Sequence, residues 1–419
     1  MIAAIFPQMP IGSLVEKVSK AVEVQPKAVY HQIGIRSHGR GLFDKPPVTG
    51  TQLGNKRVFW IEPNCFVVNI VFAWEQAVGK TMPSDLGKIA SHRFPMYRPK
   101  LGKVDIDFLT YLFKTEYGKE LLGLASPGGA GRNKTLGQSE FLKIRIHVPP
   151  IAEQRRIAEI LSTWDRAIAV QERLLANARA QKKALMQTLL TGTKKRLPGF
   201  KGEWKMKLFK HVVSIDQDSL GQNTPPDFEF RYISLSDVSS GSIANNLPSH
   251  TFSEAPSRAR RKLKLGDILM ATVRPNLQAF ARVQSAQSDC IASTGFSVLS
   301  AKRDHSADYV YHYLFSEHIT GQIDALVVGS SYPAINSTDV ASLAIHCPEK
   351  TEQDAIAQVL NVSDETVISG ETKLSLLKRE KSALMQQLLT GKRRVKVEAV
   401  EPDLENQNPR LAKERSNGN

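Results

Sequence analysis

The sequence predicts two mixed α/β globular domains in tandem, separated by two long helices that pack antiparallel as a coiled coil. Three observations predict this fold class. Residues 153–192 match residues 352–391 without a gap, at an offset of 199 and with 17 identities over 40 positions. Both copies carry mostly apolar residues at steps of four and three, which is the seam of a coiled coil. The block before each copy mixes strand-like and helical patterns, which is typical of α/β domains.

The first block, residues 1–148, is predicted to be the first globular domain. Residues 67–72 form a strand-like apolar run, and residues 108–117 form a helical stretch rich in aromatic side chains. A small-residue loop at 128–134 precedes the apolar positions Phe141, Ile144 and Ile146, which predict a strand leading into the helix.

The first spacer helix is predicted over 149–195. Prolines 149 and 150 suit its start, and Gly192 suits its end as a left-handed C-cap. A helix of this length spans about 60 Å. Its predicted seam consists of Ile157, Leu161, Trp164, Ile168, Gln171, Leu175, Ala178, Lys182, Leu185 and Leu189.

The second copy predicts a globular domain over 196–347 and a spacer helix over 348–392. Gly370 should weaken this helix by about 1 kcal/mol relative to alanine. Both seams carry lysine at the same step, and such a residue fixes the register of a coiled coil at some cost in stability. The second seam consists of Ile356, Leu360, Ser363, Val367, Gly370, Leu374, Leu377, Lys381, Leu384 and Leu388.

Chain connectivity favours antiparallel helices. The second block joins the end of helix one to the start of helix two, and antiparallel packing places those two ends together. The expected result is a dumbbell with an approximate two-fold axis. The tail at 393–419 is polar and is expected to be disordered, and its basic start contacts either DNA or nothing.

The composition favours a polyanionic partner, because the chain has 56 Lys and Arg against 41 Asp and Glu, a net charge of +15. Its three cysteines, Cys65, Cys290 and Cys347, have no close spacing, which argues against a disulfide framework and a zinc site. We therefore expect no metal and a reducing, cytoplasmic compartment. No signal peptide and no membrane-spanning run are expected.

The repeated helices resemble those of the specificity (S) subunits of type I restriction–modification systems. The resemblance rests on the Pro-x-x-x-Glu-Gln start at 149–154 and 348–353 and on the Leu-Met-Gln-x-Leu-Leu-Thr-Gly end of both helices. Residues 266–269, Gly-Asp-Ile-Leu, and 273–275, Val-Arg-Pro, add to it. It covers nearly the whole chain up to about Lys392. The first domain lacks a clear Gly-Asp-Ile-Leu, and its nearest counterpart is 62–68.

The resemblance implies that each domain reads one half of a bipartite double-stranded DNA target. It implies that the helices set the gap and dock two methyltransferase (modification) subunits, which restriction (translocase and nuclease) subunits join. S-adenosylmethionine, ATP and Mg are then expected in those partners, and no cofactor in this chain, which would be non-catalytic.

Candidate DNA-contacting residues are cations and amides in loops. The segment 258–264 holds five cations, which suit phosphate or form a solvated loop. Arginine suits guanine and asparagine suits adenine in the major groove, although the same residues can cap turns. The other candidates flank small residues, and Trp60 and Trp74 are assigned to the core. The predicted DNA contacts are Arg36, His38, Arg40, Arg132, Asn133, Lys134, Arg258, Arg260, Arg261, Lys262, Arg274, Asn276, Tyr332 and Asn336.

Two segments come close to catalytic motifs without matching them. Residues 77–81 resemble a nucleotide-binding loop, but Trp74 occupies the position of its first glycine. Residues 223–228 resemble an adenine-methyltransferase motif, but an inserted threonine favours a turn. The leading hypothesis is thus a specificity subunit, the alternative a stand-alone DNA-binding or coiled-coil adaptor, and the third a fused methyltransferase.

Overall fold

The first domain is built from short strands and short helices. The computed structural model describes residues 6–128, 134–192, 196–327 and 333–396. The strands of the first domain are β1 (Gln8–Pro10), β2 (Val15–Val18), β3 (Lys20–Ala21), β4 (Val29–Tyr30), β5 (Ile33–Ile35), β6 (Leu42–Asp44), β7 (Val48–Thr49), β8 (Val58–Trp60), β9 (Phe66–Val68), β10 (Val78–Lys80), β11 (Ile89–Ser91), β12 (Met96–Pro99) and β13 (Arg145–His147). Its helices are α1 (Ile11–Leu14), α2 (Gly50–Leu53), α3 (Ile106–Phe113), α4 (Glu116–Leu124) and α5 (Gln138–Lys143).

The first long helix, α6 (Ile151–Leu189), follows, and the second domain comes after it. The strands of the second domain are β14 (Lys205–Leu208), β15 (Val213–Ile215), β16 (Glu229–Ile233), β17 (Val238–Ser239), β18 (Ser242–Ile243), β19 (Ser249–Thr251), β20 (Ala259–Lys262), β21 (Ile268–Ala271), β22 (Phe280–Arg282), β23 (Ile291–Ser293), β24 (Phe296–Ala301) and β25 (Ala344–Cys347). Its helices are α7 (Phe209–Val212), α8 (Ala307–Leu314), α9 (Glu317–Val327) and α10 (Ser337–Ser342), and the second long helix is α11 (Lys350–Leu389).

The same antiparallel four-stranded sheet occurs in both domains. Its strand order is β10-β9-β12-β2 in the first domain and β22-β21-β24-β15 in the second. The entry and exit strands also pair in the same way, β1 with β13 and β14 with β25. The duplication therefore extends through the domains, although the sequence comparison detects it only at the exit strand and loop. The remaining strands form sheets that differ between the domains.

Segments of both long helices belong to each of two compact units. The first unit comprises residues 1–170 and 374–419, and the second comprises residues 171–373. In each unit the start of one helix and the end of the other share a hydrophobic core, so these segments pack antiparallel. The shared core positions are Ile157, Leu161, Leu388 and Leu389 in the first unit and Ile356, Leu360, Leu189 and Leu190 in the second. The predicted fold class, mixed α/β domains with long antiparallel helices, is confirmed.

Equivalent ion pairs join the helix segments in the two units. All the predicted seam positions are buried or half-buried. In the first unit Lys381 Nζ lies 2.5 Å from Asp165 Oδ1, and in the second Lys182 pairs with Asp364. Because lysines 182 and 381, like aspartates 165 and 364, are separated by 199 residues, the same pair occurs twice. Each seam lysine is thus neutralised by a partner on the facing helix.

Gly370 provides close approach between the helices of the second unit. The Nε2 of Gln171 donates a hydrogen bond to the Gly370 carbonyl at 3.1 Å. A Cβ at Gly370 would lie 3.4 Å from Cδ1 of Leu175. The predicted local weakness therefore accompanies a direct contact, and α11 continues unbroken through this position.

The repeated Glu-Gln motif fastens each domain to the start of its helix. In the first unit the Oε1 of Gln154 accepts from the Asp105 backbone N–H at 2.8 Å, and its Nε2 donates to the Pro149 carbonyl at 2.8 Å. In the second unit Gln353 makes the same contacts with Ser306, at 3.0 Å, and with Pro348, at 2.9 Å. Each buried amide thus satisfies two backbone groups at the domain–helix junction.

The glutamate of the same motif holds the chain that leaves the other helix. The Arg394 guanidinium makes bidentate contact with Glu153, its Nη2 lying 2.7 Å from Oε2, and Arg196 pairs with Glu352. Val395 packs against the first core. The start of the predicted tail therefore contacts the protein rather than DNA or nothing. The tail residues 397–419 lie outside the described residues.

Several short elements differ from the sequence prediction. Phe141 belongs to the short helix α5, and the exit strand β13 begins only after it. The run at 67–72 is a strand only as far as Val68, because the chain then turns. Trp60 packs against a core cluster, as predicted, whereas Trp74 is half-buried in the turn Ala73–Glu75 rather than part of the core. Among the described residues no helix is long and apolar enough to cross a membrane.

Candidate nucleic-acid interface

Each domain carries a hairpin of the same length at the end of one of the two central strands of its four-stranded sheet. The hairpins join β9 to β10 and β21 to β22, and their tips are 3-10 turns at Ala73–Glu75 and Pro275–Leu277. Each turn ends at a glutamine in the left-handed region, Gln76 with φ 58° and Gln278 with φ 51°. The glutamine N–H donates to the carbonyl of the first turn residue, at 2.7 Å in the first domain and 2.9 Å in the second.

The strand leading into each hairpin confirms the proposed counterpart of the Gly-Asp-Ile-Leu segment. Gly266 precedes β21 with φ 86°, and Asn64 precedes β9 with φ 55°. Both residues occupy the left-handed region, which asparagine tolerates better than most residues with a Cβ. Residues 62–68 therefore occupy the same place in the first domain as residues 264–270 in the second.

The segment that leads into helix α5 or α10 lies beside the hairpin of the same domain. In the first domain the Leu136 N–H donates to the Ile70 carbonyl at 2.8 Å, and in the second the Ile335 N–H donates to the Thr272 carbonyl at 2.9 Å. The Arg274 N–H also donates to the Pro333 carbonyl at 2.7 Å. Candidate residues from distant parts of the sequence are thereby brought together in each domain.

In the first domain the basic loop at 36–40 is fastened to the hairpin tip. It connects β5 to β6, and His38 N–H donates to the Glu75 carbonyl at 2.6 Å. The Arg36 guanidinium lies 4.6 Å from the centre of the Phe43 ring. Arg40 and His38 are exposed. This loop is therefore held by the tip and presents its cations beside it.

Lys134 extends this surface from the other side. Its Nζ lies 5.9 Å from the centre of the Trp74 ring. The tip of the first domain thus has two aromatic side chains, a half-buried Trp74 and an exposed Phe72, close to cations, which is a typical arrangement for a nucleic-acid contact. The predicted contacts Arg132, Asn133 and Tyr332 lie outside the described residues.

The basic segment of the second domain is a strand and not a solvated loop. Arg261 on β20 pairs with Asp216 at 3.0 Å, and Lys264 pairs with Asp218 at 2.5 Å. Arg260 lies 4.8 Å above the Phe252 ring. Arg258 and Lys262 are exposed, and they are the members of this cluster best placed for phosphate contact.

The polar candidates of the second domain fall into two groups. Asn276 and Arg274 are exposed at the hairpin tip. Asn336 instead caps helix α10, where its Oδ1 accepts from the Thr338 and Asp339 backbone N–H groups at 2.8 and 3.0 Å. Asn336 therefore serves as the N-cap of α10 rather than as a base contact. The Asn-x-x-Asp capping pattern already indicates this role in the sequence.

The near matches to catalytic motifs have structural roles. Gly79 and Lys80 lie on strand β10, and Lys80 pairs with Asp107 at 2.7 Å, so residues 77–81 form no phosphate loop.

Burial raises the pKa of Cys65 and of Cys347 to about 11, which keeps both thiols protonated at neutral pH. Over the described ranges no group of three His, Cys, Asp or Glu side chains is placed to hold a metal ion.

Comparisons with known proteins agree with this architecture. Residues 60–179 and 240–379, more than half of the chain, match the family described as "Type I restriction modification DNA specificity domain". The chain is 24% identical over 321 residues to the type I restriction enzyme MjaX specificity subunit of Methanocaldococcus jannaschii, covering 72% of this chain and 71% of that protein. It is 25% identical over 279 residues to the MjaVIII specificity subunit of the same organism, covering 61% and 64%.

A solved structure resembles the fold at low sequence identity. The S subunit of a type I restriction–modification system from M. genitalium superposes with a TM-score of 0.61 at 12% identity, over 92% of this chain and 96% of that one. The likeness extends across both domains and both long helices.

Proposed function

The chain belongs to the type I restriction–modification DNA specificity family, and from that premise we propose that it reads a two-part DNA sequence, one half with each domain. The observation that carries the proposal is a pair of equivalent hairpins on equivalent sheets, each of which displays different side chains. A repeated frame with different exposed residues suits a protein that recognises two unlike half-sites. The net charge of +15 favours binding to the phosphate backbone.

We propose that the spacer helices determine the gap between the two half-sites. Each domain is fastened to a helix start by a buried glutamine, Gln154 or Gln353, and the neighbouring buried glutamate of that helix start pairs with an arginine that follows the other helix. The paired seam lysines hold the helix segments in one register in each unit.

Exposed apolar side chains on the helices support the docking of partner subunits. Leu174, Val362 and Ile368 in the second unit, and Val170 and Leu376 in the first, are each more than 40% exposed. Exposed apolar residues on otherwise polar helices are typical of protein interfaces. We assign these exposed residues of each unit to the docking of two methyltransferase subunits, which restriction subunits join in the cytoplasm. Methyl transfer with S-adenosylmethionine and translocation with ATP and Mg belong to those partners, and this chain is non-catalytic.

Co-expression with the neighbouring genes tests the proposal. The tagged chain should retain a methyltransferase through purification, and the host genome should carry methylated adenines in one split motif. Replacing Leu174 and Ile368 with serine should release the methyltransferase, whereas Leu101→Ser, at a fully exposed loop position, should not. Purification of the chain alone, with no methylated motif, would instead support the stand-alone adaptor.

A further inference from the structure

We propose that the two hairpin tips read their half-sites by different chemistry: Phe72 and Trp74 contact thymine methyl groups, and Arg274 and Asn276 hydrogen-bond to the N7 edge of purines. This inference rests on the proposed function, since it assumes that each domain reads one half-site in duplex DNA. It assigns the positions and the base class that each domain recognises.

The tips occupy equivalent positions in hairpins of equal length, although the backbone differs at one aligned position, with φ −124° at Phe72 and φ 51° at Arg274. Cα pairing joins Val68 to Val78 and Met270 to Phe280, so both ends of the hairpin obey one offset of 202. The offset aligns Phe72 with Arg274 and Trp74 with Asn276. The two hairpins therefore have equal length and the same closing glutamine, and they differ in the residues that their tips present.

The aromatic residues of the first tip present only apolar surface to DNA. The Nε1 of Trp74 donates to the Val71 carbonyl at 3.2 Å, which occupies the only hydrogen-bonding group of the side chain. The adjacent Phe72 ring is 42% exposed. Thymine is the base that presents an apolar group, its C5-methyl, in the major groove. Flanking cations at Arg40 and Lys134 suit the neighbouring phosphates.

The second tip has hydrogen-bonding groups in a strained conformation. Arg274 has φ 51° and ψ 52°, an unfavourable backbone region for a non-glycine residue. The conformation is held by its N–H bond to the Pro333 carbonyl and by the Leu277 N–H, which donates to the Arg274 carbonyl at 2.9 Å. Strain of this kind concentrates at functional sites. Arginine recognises guanine and asparagine recognises adenine through N7 together with the neighbouring exocyclic group.

Base analogues in the target duplex test the two chemistries separately. The probes are duplexes that carry the motif obtained by methylome sequencing, bound to the full chain in complex with its methyltransferase. Uracil in place of thymine removes only the methyl group, and 7-deazapurines remove only N7. We expect uracil to weaken binding about threefold to fourfold at one or more positions of the half-site read by the first domain. We expect 7-deazapurines to weaken binding roughly tenfold at one or two positions of the other half-site.

Variants assign each effect to its residue. In the Trp74→Ala complex the uracil effect should disappear, and in the Asn276→Ala complex the effect of one 7-deazaadenine should disappear. Leu101→Ala and Asn223→Ala, which remove an exposed apolar side chain from the first unit and an exposed amide from the second, should leave both effects unchanged. The half-site read by the unaltered domain reports that each variant is folded.

Two outcomes would overturn the inference. One is a motif whose first half contains no thymine that responds to uracil, or whose second half contains no purine that responds to the 7-deaza analogue. The other is an analogue effect that persists unchanged in the matching variant. A wild-type complex that binds no motif at all would instead contradict the proposed function.

Discussion

Replacing Gln353 with alanine is expected to lower the free energy of unfolding of the second unit by about 3 kcal/mol. The side chain is fully buried, and its two backbone partners, Ser306 N–H and the Pro348 carbonyl, lose their hydrogen bonds together. Each buried backbone group left unsatisfied costs about 1–3 kcal/mol. The Ser306 N–H and the Pro348 carbonyl lie where the domain packs against the start of α11. Water therefore reaches these two groups only if the domain moves away from the helix.

Differential scanning calorimetry of the full chain measures the effect. For a unit of this size, 3 kcal/mol corresponds to a decrease in Tm of about 6–12 °C. Gln181→Ala, at an exposed position of α6 in the same unit, controls for the change in helix propensity. Gln154→Ala should have an equal effect on the first unit. A decrease for Gln353→Ala that matches the Gln181→Ala control would refute the role of the glutamine as a fastening.

Three further predictions follow from the helices and the second core. A double-mutant cycle on Lys182 and Asp364 should give a coupling energy of about 1 kcal/mol in chemical unfolding, and no coupling would show that the pair is incidental. Burial lowers the pKa of His312, so its stabilising contribution is complete above about pH 6.5 and is lost as pH falls through the folded pKa. Thermal unfolding from about pH 8 to pH 5 should show a decrease that His312→Gln reduces, and an unchanged slope would contradict the assignment. Deleting 168–174 with 367–373 should shorten the spacer by about 10 Å and the DNA gap by roughly 3 base pairs, as methylome sequencing would report, whereas an unchanged gap would contradict the ruler.

The helices were predictable because their determinants are local. The seam follows from residue spacing, and the ends follow from prolines and from Gly192 and Gly391, which have φ 67° and 73°. At both glycines a Cβ would lie 2.6 Å from an aromatic ring, that of Trp204 or of Phe6. The glycines are therefore required for packing as well as for the left-handed cap, and a sequence pattern reveals only the second reason.

The duplication of the domains was hidden by small changes of offset. The exit strands align at 199, whereas the hairpins align at 202, because loops between them differ in length. Equivalent strand positions are buried in both domains but carry different apolar residues, for example Phe66 in the first domain and Ile268 in the second. A gapless comparison therefore finds the helices and misses the sheets.

The candidate interface was predictable only in part, since partners distant in sequence decide what a cation does. Nothing near Arg261 in the sequence indicates its pair with Asp216, and this pair removes it from the set of unneutralised cations. Trp74 resembles a core residue in the sequence, and only the tip geometry places it at the surface. Flanking glycines single out His38 and Arg40 in the sequence, but no sequence pattern indicates that the His38 N–H donates to the Glu75 carbonyl.

The most direct test of the central claim is methylome sequencing of a host that carries the system with residues 1–148 exchanged for the corresponding domain of a relative. If each domain reads one half-site, the methylated motif should change in one half and keep the other half and the gap. A motif that stays unchanged, or that changes in both halves, would contradict the division of recognition between the two domains.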